Sequence, residues 1–260
     1  MSKMPTLEEL FSSGAHFGHQ KFRSSAQARK YVFQVRDGVM IFDLEKTAAA
    51  LKRATDFLSS QVKQGKVVLL VGTKRQFRDL VTGVGQSLKI PYIAERWPGG
   101  MLTNFETIRR QIVHYNTLID QAEGNAAQTF TKKERRVIMK RVEKMAKVFE
   151  GVRTLDRTPD VLLVVGATGE YTAITEAATL KIPTIAITDS DVNPDLVSYP
   201  VPANDDSRAS VELLLTVFKE TIEEAQSMAK KDAPVREAKA QEGKAKRKQS
   251  DDRKDKKTES

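Results

Sequence analysis

Two stretches of consecutive apolar residues predict buried strands, and the same succession of elements follows each of them. The first, VVLLVGTKRQFRDLVTGVGQSLKIPYIA, covers residues 67–94, and the second, VLLVVGATGEYTAITEAATLKIPTIA, covers residues 161–186. Both predict a strand, a glycine, a helix, the tetrapeptide Leu-Lys-Ile-Pro and a second strand. Continuous apolar strands are typical of a parallel sheet that helices cover on both faces. The pattern therefore predicts two βαβ units in a doubly wound α/β body.

Alternating apolar and polar positions upstream of this body predict a β-hairpin and a helix. The run YVFQVRDGVMIFD contains an Asp37-Gly38 turn between two alternating segments, which is a strong hairpin signal. The residues from Leu44 to Lys63 predict a helix that ends before Gly65.

The segment between the two βαβ units predicts an antiparallel helical hairpin. Thr103-x-x-Glu106 and Thr131-x-x-Glu134 both match the capping box, which satisfies free amides at a helix start. Apolar residues follow each box at spacings of three and four, and these would form a narrow coiled-coil seam about 27 Å long: Ile108, Ile112, Tyr115 and Ile119, then Ile138, Val142, Met145 and Phe149. A Gly124-Asn125 loop would join the helices.

The loop Arg96–Asn104, RWPGGMLTN, contains the only tryptophan of the chain. Pro98-Gly99-Gly100 would break the chain where it leaves the sheet. We expect Trp97 to pack at the junction between body and hairpin. No such structural role is evident for Arg96.

Composition excludes several classes of protein. The absence of cysteine excludes disulfides, thiolate zinc sites and a cysteine nucleophile. The longest apolar runs are too short to cross a bilayer, and the N-terminus does not look like a signal peptide. We therefore expect a soluble, cytoplasmic protein with no membrane partner.

The net charge of +9 is unevenly distributed. Residues 230–260 carry 12 Lys/Arg and 7 Asp/Glu with almost no branched apolar residues, which predicts a disordered basic tail. Five Lys/Arg and no acid lie between His16 and Arg36, and eight Lys/Arg against three Glu lie between Thr131 and Glu150. Such clusters indicate an anionic partner, with nucleic acid favoured.

A nucleotide-dependent enzyme or sensor is the main alternative, because open parallel sheets bind ligands beyond the carboxyl ends of their strands. Neither Gly72-Thr73-Lys74-Arg75 nor the loop Gly166–Glu170 completes a phosphate-binding glycine motif. Glu170 would also repel a phosphate at the start of its helix. Lys74, Arg75 and Arg78 instead suit a nucleic-acid phosphate.

Histidines and aspartates give weak metal or catalytic signals. His16 and His19 lie three apart, but a metal would need carboxylates as further ligands. We expect turn and cap roles for the aspartates that follow the last predicted strand of the second unit: Asp189, Asp191, Asp195, Asp205 and Asp206. We expect no metal, no cofactor and no catalytic residue.

Five ordered blocks resemble the bacterial small-subunit ribosomal protein S2 family, and the similarity extends over about residues 5–228. The blocks are AHFGHQ, GVMIFDLEKT, VGTKRQ, RWPGGMLTNFETI and IPTIAITDSDVNPDLVSYPVPANDDSRAS. The resemblance implies a flavodoxin-like, doubly wound, mostly parallel sheet with an inserted antiparallel coiled-coil hairpin, and no enzymatic activity. The division that we expect is an α/β body at residues 1–102 and 152–228, a hairpin at 103–151 and a tail at 229–260.

The same resemblance implies a structural constituent of the small ribosomal subunit that binds its ribosomal RNA. It also implies contacts with neighbouring ribosomal proteins and a part in docking ribosomal protein S1 for messenger RNA capture. No homo-oligomer is expected. Together with the charge pattern it suggests the following RNA-binding residues: Lys21, Arg23, Arg29, Lys30, Lys74, Arg75, Arg78, Arg96, Asn104, Lys132, Lys133 and Arg136.

Two departures from the family pattern and one further alternative qualify this picture. Ser24–Ala28 replaces an aromatic-Asn-Pro-Lys-like stretch, and Gly166-Ala167 stands where relatives often have Asp-Pro. The alternative is a basic RNA chaperone that acts through the tail.

Overall fold

An antiparallel three-stranded sheet and a long helix form the N-terminal part of the computed structural model, which describes residues 3–123 and 130–231. The elements, in chain order, are α1 (Leu7–Ser12), β1 (Phe17–Gln20), β2 (Val32–Arg36), β3 (Val39–Phe42) and α2 (Leu44–Lys63). The strand order is β1-β3-β2.

The predicted hairpin is confirmed as β2 and β3. Asp37 and Gly38 have φ angles of +52° and +80°, which is the left-handed pair that a two-residue hairpin turn requires. Helix α2 has the predicted bounds, and Asp43 caps it by accepting hydrogen bonds from the amides of Glu45 and Lys46. Strand β1 was not predicted, because its four residues show no clear alternation.

A five-stranded parallel sheet forms the body. Its order is β5-β4-β6-β7-β8, which is the flavodoxin-like order when the strands are counted within this sheet. The predicted fold class is confirmed. The elements, in chain order, are β4 (Val68–Val71), α3 (Arg78–Leu88), β5 (Tyr92–Ile93), α4 (Phe105–Glu123), α5 (Lys132–Phe149), β6 (Val161–Val164), α6 (Tyr171–Thr179), β7 (Thr184–Thr188), β8 (Tyr199–Pro202) and α7 (208–231).

Buried side chains fill both faces of this sheet. Val68 and Leu70 of β4 join a cluster with α2, α3 and α7, whereas Leu69 and Val71 join a cluster with α4 and α6. Successive side chains of a strand point to opposite faces, so a continuous apolar run supplies both clusters. This arrangement brings the loops that follow the five strands to one edge of the sheet, which we call the sheet edge.

The two hairpin helices are buried to different extents. Ile108, Ile112, Tyr115, Leu118 and Ile119 of α4 are buried, whereas Phe149 is the only buried side chain among the residues 132–149 of α5. The first helix therefore belongs to the core of the body, and most of the second is exposed.

Several predictions fall outside the described residues or remain untested. The Gly124-Asn125 loop and the tail from residue 232 onward lie outside the described residues, and α7 extends to residue 231. The division into body, hairpin and tail stays a prediction. None of the helices within residues 3–123 and 130–231 is long and apolar enough to cross a membrane.

Candidate nucleic-acid interface

The carboxylate of Glu176, on α6, organises the RWPGGMLTN loop. Its Oε1 accepts hydrogen bonds from the Trp97 indole (3.1 Å) and the Gly100 amide (2.8 Å). Its Oε2 accepts from the amides of Leu102 (2.9 Å) and Thr103 (3.1 Å) and from the Thr103 hydroxyl (3.1 Å). Five donors from one loop therefore converge on one buried side chain.

These hydrogen bonds also set the charge of Glu176. Burial alone would raise its pKa, but the bonds from Trp97 and from the backbone outweigh this effect, and the pKa lies below its ordinary value. Glu176 is thus a carboxylate at neutral pH. The loop needs glycine at position 100, where the chain folds around this anion with a φ of +82°, and the Trp97 indole supplies one of the five donors.

The predicted capping box at Thr103 is wrong. The Thr103 hydroxyl donates to Glu176 instead of capping α4. The Asn104 carbonyl accepts from the amides of Thr107 and Ile108, so it begins the helix. The box at Thr131 is confirmed, since Thr131 and Glu134 bond reciprocally. Arg96 and Asn104 remain exposed at the two ends of the loop.

The basic N-terminal segment lies against the loops that follow β7 and β8. The Ser25 amide donates to the Ser190 carbonyl (2.7 Å), and the His19 amide donates to the Ser190 hydroxyl (2.8 Å). Two short 3₁₀ turns, Lys21–Arg23 and Ala26–Tyr31, carry the four predicted RNA-binding residues of this segment. All four are exposed, and within the described part of the chain only one of them makes an ion pair: Lys30, with Asp195.

His19 bridges three carboxylates at the sheet edge. Its Nδ1 lies 3.0 Å from Asp189, and its Nε2 lies 3.4 Å from Asp206 and 3.9 Å from Asp191. The close contact between Nδ1 and the Asp189 carboxylate raises the pKa of His19 to about 9, against the effect of burial and with help from the charges of all three aspartates. His19, Asp189 and Asp191 also have a spacing that would suit a metal ion.

Lys74 forms ion pairs with two carboxylates of the protein itself. Its ammonium lies 2.6 Å from Asp205 and 2.9 Å from Asp206, and its side chain is 21% exposed. Burial alone would lower the pKa of Lys74, but the two carboxylates outweigh it and raise the pKa. Asp205 is fully buried, and burial raises its pKa to about 6 even though Lys74 opposes the shift. The expected cap role is confirmed for Asp189, which accepts from the amides of Ser190 and Asp205. It is wrong for Asp205 and Asp206, whose carboxylates accept hydrogen bonds from Lys74 and from no backbone amide among the described residues.

The crevice between the loops after β4 and β6 is filled by side chains of the protein. The Glu170 carboxylate accepts a hydrogen bond from the Thr73 amide (2.6 Å), and burial raises the pKa of Glu170 despite this bond and the nearby Lys74. A Cβ on Gly166 would lie 3.3 Å from both Lys74 and Asp205. A flavodoxin-like sheet would bind a nucleotide at this crevice. Here the Glu170 carboxylate already accepts the hydrogen bond from the Thr73 amide that a phosphate would accept.

The remaining predicted cations at the sheet edge differ in availability. Arg78 pairs with Glu95 (3.1 Å). Arg75 and Arg96 are exposed and make no ion pair with any described residue. With adjacent strands about 4.8 Å apart, β5 and β8 lie about 19 Å from each other. Arg96 follows the edge strand β5, whereas the segment that carries Lys21 and Arg23 lies against the loops after β7 and β8.

The predicted hairpin cations form a separate surface. Lys132, Lys133 and Arg136 are exposed on α5. Phe149, at the other end of α5, packs against Tyr115, with ring centroids 6.5 Å apart. The 18 residues of α5 span about 27 Å, so Lys132 projects well beyond that contact. The structure does not bring the predicted site residues into one patch.

Sequence reasoning missed three features of this interface. It did not identify Glu176 as the anchor of the loop, the His19–Lys74 carboxylate network, or the exposed Phe22 beside Arg23. The acid-free run from His16 to Arg36 was a usable signal for Phe22, because an aromatic residue among cations is typical of nucleic-acid binding. No local signal marks Glu176.

Comparison with known proteins decides the family. The model of the family described as ribosomal protein S2 matches residues 10–225. Small ribosomal subunit protein uS2 of Coprothermobacter proteolyticus is 39% identical over 217 residues, which are 84% of this chain and 81% of the relative. The uS2 proteins of Sulfurimonas denitrificans and Dictyoglomus thermophilum are 37% and 36% identical, over 86% and 88% of this chain and 87% and 93% of the relatives.

The chain belongs to the ribosomal protein S2 family. The resemblance of the five sequence blocks is thereby confirmed. A member of the ribosomal protein S2 family is a structural constituent of the small ribosomal subunit, and the family is not enzymatic.

Proposed function

We propose that this member of the ribosomal protein S2 family binds small-subunit ribosomal RNA through unpaired cations on α5 and on exposed turns of the sheet edge, and that it helps dock ribosomal protein S1 for messenger RNA capture. The observation that carries the first part is the surface of α5. Four cations, Lys132, Arg135, Arg136 and Lys140, line one surface of this helix together with Met139 and a single acid, Glu143.

The cations of α5 are available to a partner. None of the eight Lys/Arg between residues 131 and 150 makes an ion pair with a residue in 3–123 or 130–231. Unpaired cations spaced along a helix can neutralise successive phosphates and release their counterions. A phosphate that binds one of these cations does not first have to break an ion pair within the protein. Lys74, Arg78 and Lys30 already have carboxylate partners, so their contribution to RNA binding should be smaller.

Salt dependence tests the RNA-binding part of the proposal. If about six to ten phosphates are neutralised, affinity for a transcript of the small-subunit ribosomal RNA should fall by about 10³ to 10⁵ between 50 and 200 mM salt. The double variant Lys132→Ala/Arg136→Ala should lower the slope of log affinity against log salt by about 0.7 to 0.9 for each phosphate that the variant no longer neutralises.

The matched control is Lys52→Ala/Arg53→Ala, which removes the same charges from exposed positions on α2. It should weaken binding much less than the α5 variant. Equal losses in both variants would indicate a diffuse charge effect and would contradict an interface on α5.

An exposed apolar groove supports the second part of the proposal. Phe33 and Phe11 are 70% and 61% exposed. Three further apolar residues line the groove with them, Ile41, Phe42 and Leu44, and its polar lining residues are His16, Gln34, Asp43 and Glu45. Apolar patches of this kind are typical of protein–protein contacts. Small subunits that carry Phe33→Ser should retain less ribosomal protein S1 after salt washing than wild-type subunits. Unchanged S1 content would contradict docking at this groove.

A further inference from the structure

Phe22 is unusually exposed for an aromatic side chain. It is 79% exposed, more than Phe33 at 70% or Phe11 at 61%. It lies in the 3₁₀ turn Lys21–Arg23, between two exposed cations. Large apolar side chains that are exposed on their own are common. Exposure alone therefore does not identify Phe22 as a binding residue, whereas its position and surroundings do.

Backbone hydrogen bonds fix the turn that presents Phe22. The Lys21 amide donates to the Gly38 carbonyl (2.9 Å), and the Ser25 amide donates to the Ser190 carbonyl (2.7 Å). The Ser24 hydroxyl donates to the Lys21 carbonyl (2.6 Å). Both ends of the turn are thus tied to other elements, and the ring projects from a defined backbone. A preorganised side chain loses less conformational entropy when a ligand binds.

One face of the ring is already covered by a cation. The Arg23 guanidinium carbon lies 5.7 Å from the centroid of the Phe22 ring. Because most of the side chain remains exposed, the opposite face is open. Lys21 and Arg23 make no ion pair with any residue that the structure describes, and no acidic residue occurs between His16 and Arg36.

An apolar ring among unpaired cations fits a nucleotide better than a protein surface. Bases stack on aromatic side chains, and the adjacent phosphates need cations. A base inside an A-form duplex has both faces covered by its neighbours, so a ring can stack only on an unpaired base. The groove at Phe33 contrasts with this site, because no lysine or arginine among the described residues lines it. Phe22 lies between Lys21 and Arg23, and Arg23 shares a pocket with Asp189 and Asp206 without pairing with either.

We propose that Phe22 stacks on an unpaired base of ribosomal RNA while Lys21 and Arg23 neutralise the phosphates beside it. This inference rests on the proposed function of RNA binding and adds a base contact to it. Phe22 lies outside the set of residues that the charge pattern suggested, and it makes a contact of a different chemical kind.

Crosslinking in assembled small subunits tests where Phe22 lies. Phe22→p-benzoylphenylalanine and the control Phe33→p-benzoylphenylalanine would be incorporated separately, irradiated and analysed for RNA and protein adducts. The proposal expects position 22 to crosslink to a nucleotide that is unpaired in the small-subunit RNA, and position 33 to give no such adduct. A protein adduct at position 22, or an adduct to a paired nucleotide, would overturn it.

Affinity for an RNA transcript gives a second, independent measurement. Phe22→Ala should weaken binding to a small-subunit ribosomal RNA transcript by roughly five- to 150-fold, and Phe22→Trp should retain it within about twofold. The salt slope should not change, because no charge is removed. Tyr171→Ala, which removes another exposed aromatic side chain, should have no effect on this affinity.

The outcomes separate this inference from the proposed function. If the wild-type protein binds the transcript and Phe22→Ala binds it equally well, the stacking contact is wrong and RNA binding stands. If the wild type shows no salt-dependent binding, the proposed function fails for the isolated protein, and the crosslink in the subunit still decides whether Phe22 contacts RNA.

Discussion

The sheet edge and the second hairpin helix are both rich in lysine and arginine, but the structure uses these charges in opposite ways. At the sheet edge, Lys74 and Arg78 pair with Asp205 and Glu95. On α5, the cations face solvent without ion pairs among the described residues. The number of cations in a segment therefore does not give the charge that a partner can reach.

The difference arises from where the carboxylates lie in the fold. Asp205 is 131 positions from Lys74 in the sequence, and the parallel sheet brings both to one edge. Most of α5 is exposed, and no acid brought close by the fold forms an ion pair with its cations among the described residues. The paired cations Lys74 and Arg78 should therefore respond to mutation mainly through stability, and the unpaired cations of α5 mainly through RNA affinity.

The largest effect on stability is expected at Glu176. Glu176→Ala leaves five donors of the RWPGGMLTN loop without an acceptor, and it should lower the free energy of unfolding by about 3 to 5 kcal/mol. Urea unfolding measures the change. The control Glu143→Ala removes an exposed glutamate of α5 and should change stability by no more than about 0.5 kcal/mol. A loss below about 1 kcal/mol for Glu176→Ala would show that the loop does not depend on this anchor.

Substitution of Lys74 tests most directly whether paired and unpaired cations respond differently to mutation. Lys74→Met leaves the buried Asp205 without its cation, and the free energy of unfolding should fall by about 2 to 4 kcal/mol. The RNA affinity of the folded fraction should change less than about twofold. Lys132→Met should show the reverse, with stability preserved and affinity reduced. If Lys74→Met instead behaved like Lys132→Met, Lys74 would be an RNA contact of the same kind as the cations of α5, in spite of its ion pairs.

The elements that rest on local pattern could be predicted from the sequence. Two apolar runs, an Asp37-Gly38 turn and regular helical spacing indicated the body, the β-hairpin and α2, because each signal lies within a few residues of the structure that it specifies. The Thr131 capping box is local in the same sense, since Thr131 and Glu134 satisfy each other.

The organisation of the interface could not be predicted, because its partners are remote. Thr103 has the same local pattern as Thr131, but Glu176, 73 positions away, offers a better acceptor. The sequence predicted Lys74 as a phosphate ligand because its carboxylate partner, Asp205, is also remote in the sequence, and no residue near Lys74 indicates that partner. Basic residues become interpretable only when the fold shows which of them already have acidic partners.

Protonation of His19 gives the next prediction. Its pKa in the folded state is about 9 against an ordinary value of 6.5. A raised pKa means that the stabilising contribution is fully present below about pH 6.5 and is lost as the pH rises through about 9. The contribution is at most about 3 kcal/mol, and solvent reduces it because the side chain is 23% exposed.

His19→Asn tests this contribution. Its stability deficit relative to wild type should be largest near pH 6 and should shrink toward pH 10, measured by urea unfolding across the range. His114→Asn, at an exposed position on α4, should show no such trend. A deficit for His19→Asn that stayed constant with pH would mean that the imidazole acts by packing and not by its charge.

The smallest effect is expected at Thr131, at the start of α5. Thr103 has the same sequence motif at the start of α4, so the two threonines can be compared directly. Thr131→Ala removes a cap that serves only α5, and it should cost about 1 kcal/mol, visible as faster amide hydrogen exchange confined to the first turns of α5. Thr103→Ala leaves the backbone amides on Glu176 in place, so α4 should retain its protection from exchange. Because α5 is held by few buried side chains, its fraying should also weaken RNA binding modestly. If Thr131→Ala loosened α4 as much as α5, the two helices would form one cooperative unit, and α5 could not act as an independent surface for RNA.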